Sequence, residues 1–224
     1  MLKLIIFDWD DVVVIGAKNA YFASYHKALT DLGILLTPDE ERRRILAKWS
    51  KPSREEFKEL LKEHPQLINQ ACQIYEKEKA NIFLQSLSIL PGTQKLLLHL
   101  SKYYKLGVSS GNTLEMIKNQ IIPRFQIPNV FSQIISSHQI SDPKKMKPHP
   151  FMLEVIMETQ KILPEETIFI GDAATDVQMA RNAKVVPVVV LTGHLSKEEA
   201  ESLKVKWIIP DILALPTVLN SIIN

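Results

Sequence analysis

The position of the first predicted strand is the feature that most constrains the fold. Residues 4–7 form a short apolar run rich in β-branched and aromatic side chains, which is typical of a strand buried on both faces. Between residues 15 and 87 the apolar spacing is helical and no run resembles a strand. From Pro91 onward, predicted strands alternate with predicted helices, a pattern that indicates a mostly parallel sheet covered on both faces. We therefore expect an α/β fold in which a helical block separates the first strand from the rest of its sheet.

That helical block predicts an inserted domain. Two capping boxes, at Thr37–Glu40 and Ser53–Glu56, indicate helix starts within it. We expect residues 1–14 and 88–224 to form a Rossmann-like core and residues 15–87 to form an all-helical cap. Because open α/β sheets bind ligands at the carboxyl ends of their strands, an insertion after the first strand is expected to act as a lid over the ligand.

Composition narrows the class of protein. The 224 residues carry a formal charge of +2, with 46% hydrophobic and 23% charged residues, which is ordinary for a globular protein. No basic stripe predicts nucleic-acid binding, and no apolar run approaches the ~20 residues of a membrane span, so we expect neither partner. Cys72 is the only cysteine, which excludes an intramolecular disulfide, and Asp8 interrupts the N-terminal apolar run before it reaches signal-peptide length. These features predict a cytoplasmic protein of unspecified oligomeric state.

Two acidic residues follow the first strand directly. Asp8 and Asp10 are separated by one residue, and side chains alternate along a strand, so both carboxylates are expected on the same side. Two like charges this close repel each other, and a divalent cation is the usual means of keeping both ionised. An acidic turn that ends a core strand explains the pair equally well. Trp9, which lies between them, is expected to point away from the acids into the core.

Two later segments have residue types that suit phosphate binding. Ser110 and Gly111 end a predicted strand just before a helix, where N–H donors and the helix dipole favour an anion; an ordinary turn with a helix cap has the same pattern. Lys147 is followed by two prolines that restrict its backbone, so it could be held against a phosphoryl oxygen or a carboxylate. A solvated loop lysine is the alternative, and Lys144 and Lys145 are equally suitable by residue type.

A second acidic cluster also ends a predicted strand. Asp172 comes at the strand end and Asp176 follows it at helical spacing, while Gly171 permits close approach of backbone or ligand. Mg²⁺ prefers a few carboxylates, a carbonyl and water molecules in octahedral geometry, completed by substrate phosphate. Two acidic clusters at strand ends therefore favour a metal site over two unrelated turns.

Taken in chain order, these segments resemble the four signature motifs of the haloacid dehalogenase-like hydrolase superfamily. The motifs are Asp8-Trp9-Asp10-Asp11-Val12, Ser110, Lys147-Pro148, and Gly171-Asp172 with Asp176. The similarity continues at Leu90-Pro91-Gly92, Ala180-Arg181-Asn182-Ala183 and Thr192-Gly193, and it covers essentially the whole chain. The chain is most similar to the branch of phosphoglycolate phosphatase and β-phosphoglucomutase, which has a helical cap. Asp11 stands where the family commonly has glycine and has no assigned role.

The resemblance implies a Mg²⁺-dependent phosphatase that acts on a small phosphorylated metabolite. Asp8 is implied as the nucleophile that forms an aspartyl phosphate, and Asp10 as the general acid and base. The implied metal ligands are Asp8, the carbonyl of Asp10, and Asp172. Asp10 also implies phosphate esters or anhydrides as substrates, because an ester leaving group needs protonation and a halide does not.

Further roles are implied by the same resemblance. Ser110, Gly111 and Lys147 would bind the phosphoryl oxygens, and Asp176 would orient metal-bound water or Lys147. Two rival functions stay open. One is a phosphomutase of the β-phosphoglucomutase type, which passes the phosphoryl group to a sugar; the other is a regulatory binding module that kept the fold without turnover.

The cap is expected to select the substrate. Trp49, Lys51 and Arg54 lie near a loop between predicted cap helices and are the candidates for contacts with a second anionic group. The basic run Arg42–Arg44 is expected to form a solvated helix face.

Overall fold

The computed structural model describes residues 1–48 and 53–223, which fold into two compact units. One unit consists of Met1–Gly16 with Ser88–Asn224, and the other of Ala17–Leu87. No helix in the described ranges is both long and apolar enough to cross a membrane.

A six-stranded sheet forms the centre of the first unit. Its strands are β1 (Leu4–Phe7), β2 (Lys105–Ser110), β3 (Phe131–Ser136), β4 (Thr167–Gly171), β5 (Val186–Val190) and β6 (Trp207–Ile209). They are ordered β3-β2-β1-β4-β5-β6, and each neighbouring pair is parallel. This arrangement confirms the predicted α/β fold with a Rossmann-like parallel sheet.

Helices connect the strands, as the alternating sequence pattern predicts. In the first unit they are α5 (Thr93–Leu100), α6 (Met116–Ile121 with π-type hydrogen bonding, continuing as α-helix over Ile122–Arg124), α7 (Phe151–Gln160), α8 (Ala174–Asn182), α9 (Lys197–Ser202) and α10 (Leu215–Ile223). Short 3₁₀ turns occur at Ser137–Gln139, Pro143–Lys145, Pro164–Glu166 and Ile212–Ala214. Leu4 and Ile6 of β1 pack against buried side chains of α7 and α8, which excludes water from one face of the sheet.

The register of the sheet determines which residues share its carboxyl edge. Phe7, the last residue of β1, is level with Val108 of β2 on one side and Ile170 of β4 on the other. The residues that follow these three strands therefore emerge next to one another. Trp9 packs its buried ring edge-on against Phe131 at 5.9 Å between centroids, which confirms that it points into the core.

The second unit is entirely helical within its described residues. Its helices are α1 (Ala17–Asp31), α2 (Pro38–Ala47), α3 (Ser53–Leu60) and α4 (Ile68–Ser86), with a 3₁₀ turn at Pro65–Leu67. The rings of Tyr25, Phe57 and Tyr75 form its centre, at centroid distances of 4.7 to 5.8 Å. Thr37 begins α2 as predicted, because its hydroxyl accepts a hydrogen bond from the backbone N–H of Glu40.

Arg44 corrects the expectation that the Arg42–Arg44 run is a solvated face. Its guanidinium is buried and donates to the carboxylate of Glu40, to Glu63 at 2.6 Å, and to the carbonyl of Leu60 at 3.0 Å. The five donors of a guanidinium can satisfy carboxylates and helix-terminal carbonyls together, so Arg44 ties α2 to the end of α3. Its role is therefore structural, since its charge is already paired.

Glu56 provides a pH-dependence prediction for the helical unit. Burial raises the pKa of this carboxyl to about 8. A raised pKa in the folded state means that stability is fully present below about pH 4.5 and is lost as the pH rises through about 8. We expect Glu56→Gln to match the wild type at pH 5 and to exceed its free energy of unfolding by roughly 1–2 kcal/mol at pH 9. Denaturant titrations at both pH values measure this, and parallel pH profiles would contradict it.

Candidate active site

Asp8 lies at the end of the central strand, where it is surrounded by polar groups from other strand ends. Its backbone N–H continues the ladder with β4 by donating to the carbonyl of Ile170 at 2.8 Å. The side chain is mostly buried, with 11% of its surface exposed. A carboxylate held by its strand and exposed over a small area can face a ligand without being free to move.

Lys147 joins the two acidic clusters. Its ammonium lies 2.9 Å from a carboxylate oxygen of Asp8 and 2.8 Å from one of Asp176. Burial alone would lower the pKa of Lys147, but the carboxylates of Asp176 and Asp8 outweigh it and raise the pKa well above its usual value. The ammonium is therefore charged at neutral pH. Lys144 and Lys145, which have the same residue type, are exposed.

Asp172 and Asp176 follow β4 on the opposite side of Asp8 from β2. Asp176 is in the first turn of α8, where its carboxylate accepts the backbone N–H groups of Asp172 and Ala173, both at 3.2 Å. Gly171 makes this possible, because a Cβ on it would lie 2.4 Å from the Cβ of Asp176. The close approach predicted for Gly171 is thus an approach to Asp176.

These three acids form a cluster that suits a divalent cation. Oxygen atoms of Asp8, Asp172 and Asp176 lie within 4.8 Å of one another, and all three residues are buried. Burial and the neighbouring carboxylates of Asp176 and Asp8 raise the pKa of Asp172 well above its usual range. A cation would favour the ionised form of these acids, because Lys147 alone supplies only one positive charge against as many as three carboxylates. Hard oxygen ligands of this kind fit Mg²⁺.

Asp10 has a different environment from Asp8. Its side chain is only half-buried, and the amide nitrogen of Asn112 lies 3.5 Å from one of its oxygens. Desolvation, followed by the charges of Asp8 and Asp11, raises the pKa of Asp10 to about 8. Burial raises the pKa of Asp8 to only about 6, because Lys147 opposes the shift. At neutral pH the two neighbouring acids therefore favour opposite protonation states, Asp8 ionised and Asp10 protonated.

Asp11 has a structural role that the sequence alone did not indicate. Its φ of 57° is in the left-handed region, which explains why glycine suits this position. Its carboxylate accepts the backbone N–H of Gly16 at 2.7 Å, and its carbonyl accepts the hydroxyl of Thr192. The residue thus closes the turn that follows Asp10. The residue type alone indicates only that an aspartate tolerates a left-handed backbone.

Ser110 and Gly111 lie at the end of β2, beside β1, as predicted. The Ser110 hydroxyl accepts the backbone N–H of Asn112 at 2.9 Å. Among the described residues, nothing except the chain neighbours of Gly111 lies within 4 Å of the place where its Cβ would be. Asn112 is a neighbour of Asp10 that the sequence analysis did not single out. Its place directly after Ser110 and Gly111 is the signal that identifies it.

The predicted cap residues are only partly described. Trp49 and Lys51 lie outside the described residues. Arg54 is exposed near the start of α3, and its guanidinium donates to the side-chain oxygen of Asn69 at 2.8 Å. Arg54 is thus the second residue of α3, and its contact with substrate stays a prediction.

Comparison with known proteins decides the family. The model of the haloacid dehalogenase-like hydrolase family matches residues 5–190, which include every strand end described above except that of β6. The chain belongs to this family. This confirms the resemblance inferred from the four motifs, and with it the assignment of the chain to a family of hydrolytic enzymes.

Relatives with similar sequences are named phosphatases. A phosphorylated carbohydrates phosphatase of Thermotoga maritima is 24% identical over 185 residues, which are 82% of this chain and 82% of that protein. A phosphoglycolate phosphatase of Aquifex aeolicus is 26% identical over 205 residues, 87% of each chain. Among solved structures, a candidate β-phosphoglucomutase from Thermotoga maritima superimposes with a TM-score of 0.79 at 20% identity, over 98% of this chain and 99% of that one. At this identity the structural likeness shows the fold alone.

Proposed function

We propose that the protein is a Mg²⁺-dependent phosphatase that hydrolyses a small phosphorylated metabolite through an aspartyl phosphate on Asp8. The observation that carries the proposal is the arrangement at the end of β1. Asp8 lies two residues before Asp10, 2.9 Å from the Lys147 ammonium and in one cluster with Asp172 and Asp176. The phosphatase names of the relatives from Thermotoga maritima and Aquifex aeolicus support the same reaction class.

Asp8 is suited to nucleophilic attack on phosphorus. A pKa of about 6 leaves its carboxylate ionised at neutral pH, and the strand end holds it in one direction. In the first step a carboxylate oxygen forms a bond to phosphorus as the bond from phosphorus to the ester oxygen breaks. In the second step water attacks the same phosphorus atom, and Asp8 leaves as a carboxylate.

Asp10 is suited to moving the proton in both steps. Because its pKa is raised to about 8, it holds a proton at neutral pH that it can donate to the departing ester oxygen. The resulting carboxylate can then accept a proton from the attacking water and return to its starting state. Asn112, 3.5 Å from Asp10, is placed to restrict its rotation.

The acidic cluster would hold the cation and orient the phosphoryl group. Asp8, Asp172 and the carbonyl of Asp10 are the proposed ligands, and Mg²⁺ bound there would offset the repulsion between nucleophile and phosphate. Asp176 already accepts two backbone N–H groups and contacts Lys147 at 2.8 Å, which supports a role in positioning that lysine.

Phosphoryl oxygens need hydrogen-bond donors and positive charge around them. We assign this role to Ser110 and the N–H of Gly111, which lie at the end of β2, and to Lys147, which lies in a loop. The helical unit is inserted directly after the strand that bears Asp8, so we assign substrate selection to it. Trp49, Lys51 and Arg54 are the residues proposed to contact the part of the substrate beyond the phosphate.

Replacing Asp10 tests the proton-transfer role. We expect Asp10→Asn to lower kcat by about 10²- to 10⁴-fold for alkyl phosphates and by much less for aryl phosphates, whose leaving groups need no protonation. Steady-state rates for a series of esters with graded leaving-group pKa measure the difference. Equal losses across the series would contradict the role of Asp10 as acid.

A panel of small phosphate esters, including phosphoglycolate and phosphorylated sugars, tests the function itself. Inorganic phosphate release is measured with Mg²⁺ and again after chelation. We expect release from at least one ester that depends on Mg²⁺. Isomerisation of a sugar phosphate without release would favour the phosphomutase instead, and a folded protein that turns over no ester would contradict the enzyme assignment.

A further inference from the structure

A segment outside the four motifs contacts both acidic strand ends. The segment is Thr192–His194, which follows β5 and reaches the residues after β4 and β1, the two strands beyond it in the sheet. The backbone N–H of His194 donates to a carboxylate oxygen of Asp172 at 2.9 Å. The hydroxyl of Thr192 donates to the carbonyl of Asp11. The segment therefore contacts a proposed metal ligand and the turn that follows another.

Gly193 leaves the space that the Asp172 carboxylate fills. A Cβ on Gly193 would lie 1.9 Å from an Asp172 carboxylate oxygen, 2.4 Å from its Cγ and 2.5 Å from its Cβ. Contacts this short are impossible, so any side chain at this position must displace Asp172 or move the segment. The displaced atoms include the carboxylate oxygen that His194 holds.

Asp172 has no freedom to avoid such a side chain. Its carboxylate accepts from the N–H of His194, and its own carbonyl accepts from the N–H of Leu195 at 2.9 Å. Its backbone N–H donates to Asp176 at 3.2 Å. The first bond orients the carboxylate, as the outer partner of a metal ligand usually does, and the other two fix the backbone that carries it.

Thr192 contacts the turn that follows β1. Asp11 has a left-handed backbone, and its carbonyl is the group that Thr192 contacts. The peptide before it carries the carbonyl of Asp10, one of the proposed ligands. The φ and ψ angles of Asp11 relate the peptide plane of the Asp10 carbonyl to that of the Asp11 carbonyl. The hydrogen bond from Thr192 to the Asp11 carbonyl therefore also restricts the direction of the Asp10 carbonyl.

We propose that Thr192 and Gly193 are positioning residues for the metal site: Gly193 provides room for the Asp172 carboxylate, and Thr192 fixes the turn that presents the Asp10 carbonyl. The proposal rests on the proposed function, because it requires that a divalent cation bind these acids. The segment Thr192–His194 follows β5. It would add a fifth part to a site whose other parts lie at the ends of β1, β2 and β4 and, for Lys147, in a loop.

The test measures Mg²⁺ binding without turnover, as the rise in melting temperature with MgCl₂ alone. For the wild type we expect a saturable rise. For Gly193→Ala we expect the half-saturating Mg²⁺ concentration to increase by about 10- to 100-fold, the usual effect of losing an outer partner of a metal ligand. Gly107→Ala is the matched control, because a Cβ there would lie 3.0 Å from Ile156 in the core of the sheet and not at the acids. It should lower the melting temperature and leave the half-saturating concentration unchanged.

Thr192 supplies a second pair of variants that decides the test if Gly193→Ala does not fold. Thr192→Val removes the hydroxyl at constant shape and should increase the half-saturating concentration by roughly ten-fold, whereas Thr192→Ser keeps the donor and should restore it. A half-saturating Mg²⁺ concentration equal to that of the wild type in a folded Gly193→Ala protein would overturn this proposal but not the proposed function. Equal half-saturating concentrations in Thr192→Val and Thr192→Ser would do the same. A wild type with no response to Mg²⁺ would overturn the proposed metal site and this proposal with it.

Discussion

Asp8→Asn is expected to abolish turnover while leaving the fold intact. A carboxamide is a poor nucleophile, so kcat should fall by at least about 10³-fold, the scale seen when the attacking group of a covalent mechanism is removed. The fold should survive because Lys147 keeps its second partner, Asp176, and because a neutral side chain at position 8 needs no desolvation of charge. Steady-state kinetics and circular dichroism measure the two effects separately.

Asp39→Asn is the matched control for that variant. Asp39 is an exposed acid in the first turn of α2, and the same chemical change there should alter neither rate nor secondary structure. Turnover by Asp8→Asn within a factor of about ten of the wild type would contradict the covalent mechanism, since the acid would then only assist a direct attack by water.

Lys147→Met is expected to produce the largest loss of stability at the site. Without the ammonium, Asp8 and Asp176 lose their ion-pair partner, and the cluster of three buried carboxylates within 4.8 Å of one another loses its positive charge. We expect the free energy of unfolding in metal-free buffer at pH 8 to fall by about 3 kcal/mol, as when one member of a buried ion pair is removed. Turnover should fall with it, because the same ammonium is proposed to hold a phosphoryl oxygen.

The pH dependence of that loss has a definite sign. The pKa of Lys147 is raised in the folded state, so its stabilising effect is present throughout the range below its ordinary pKa of 10.5. The Asp8 carboxylate, however, takes up a proton as the pH falls through its pKa of about 6, and it then needs the ammonium less. The loss should therefore be smaller at pH 5 than at pH 8, and Mg²⁺ should reduce it at pH 8.

Lys144→Met is the control for this experiment. Lys144 is an exposed lysine in the same loop, so the same substitution should change stability by less than about 0.5 kcal/mol. A Lys147→Met protein as stable as Lys144→Met at pH 8, or a loss that is equal at pH 5 and pH 8, would contradict the electrostatic account of the cluster.

The fold and the main acids could be predicted because they depend on short-range patterns. Apolar runs that end in Asp8, Ser110 and Asp172 identify both the strands and their carboxyl edges, and parallel strands bring such edges together. The role of Lys147 was harder to predict, because Lys144 and Lys145 in the same loop have the same residue type. The family motif selected it, and its buried contacts with both acidic clusters show why position matters more than type.

Other features depend on contacts between residues far apart in sequence, and no local pattern indicates those. Thr192 contacts Asp11 across 181 positions, and Gly193 is small because of a carboxylate from another strand. Arg44 belongs to a charged run that is typical of a solvated helix face. It is nevertheless buried, and it donates to Glu63 and to the carbonyl of Leu60 at the end of α3. Pairings of this kind arise only when the elements pack, so sequence reasoning cannot distinguish them from ordinary surface residues.

The most direct test of the central claim is to trap the covalent intermediate. The protein is mixed with Mg²⁺ and an ester that it turns over, quenched in acid, digested and examined by mass spectrometry. We expect the peptide containing Asp8 to gain the mass of one phosphoryl group during turnover, and Asp8→Asn to show no such gain. Turnover at full rate with no phosphorylated Asp8, under conditions in which the attack of water on the aspartyl phosphate limits the rate, would contradict the covalent mechanism.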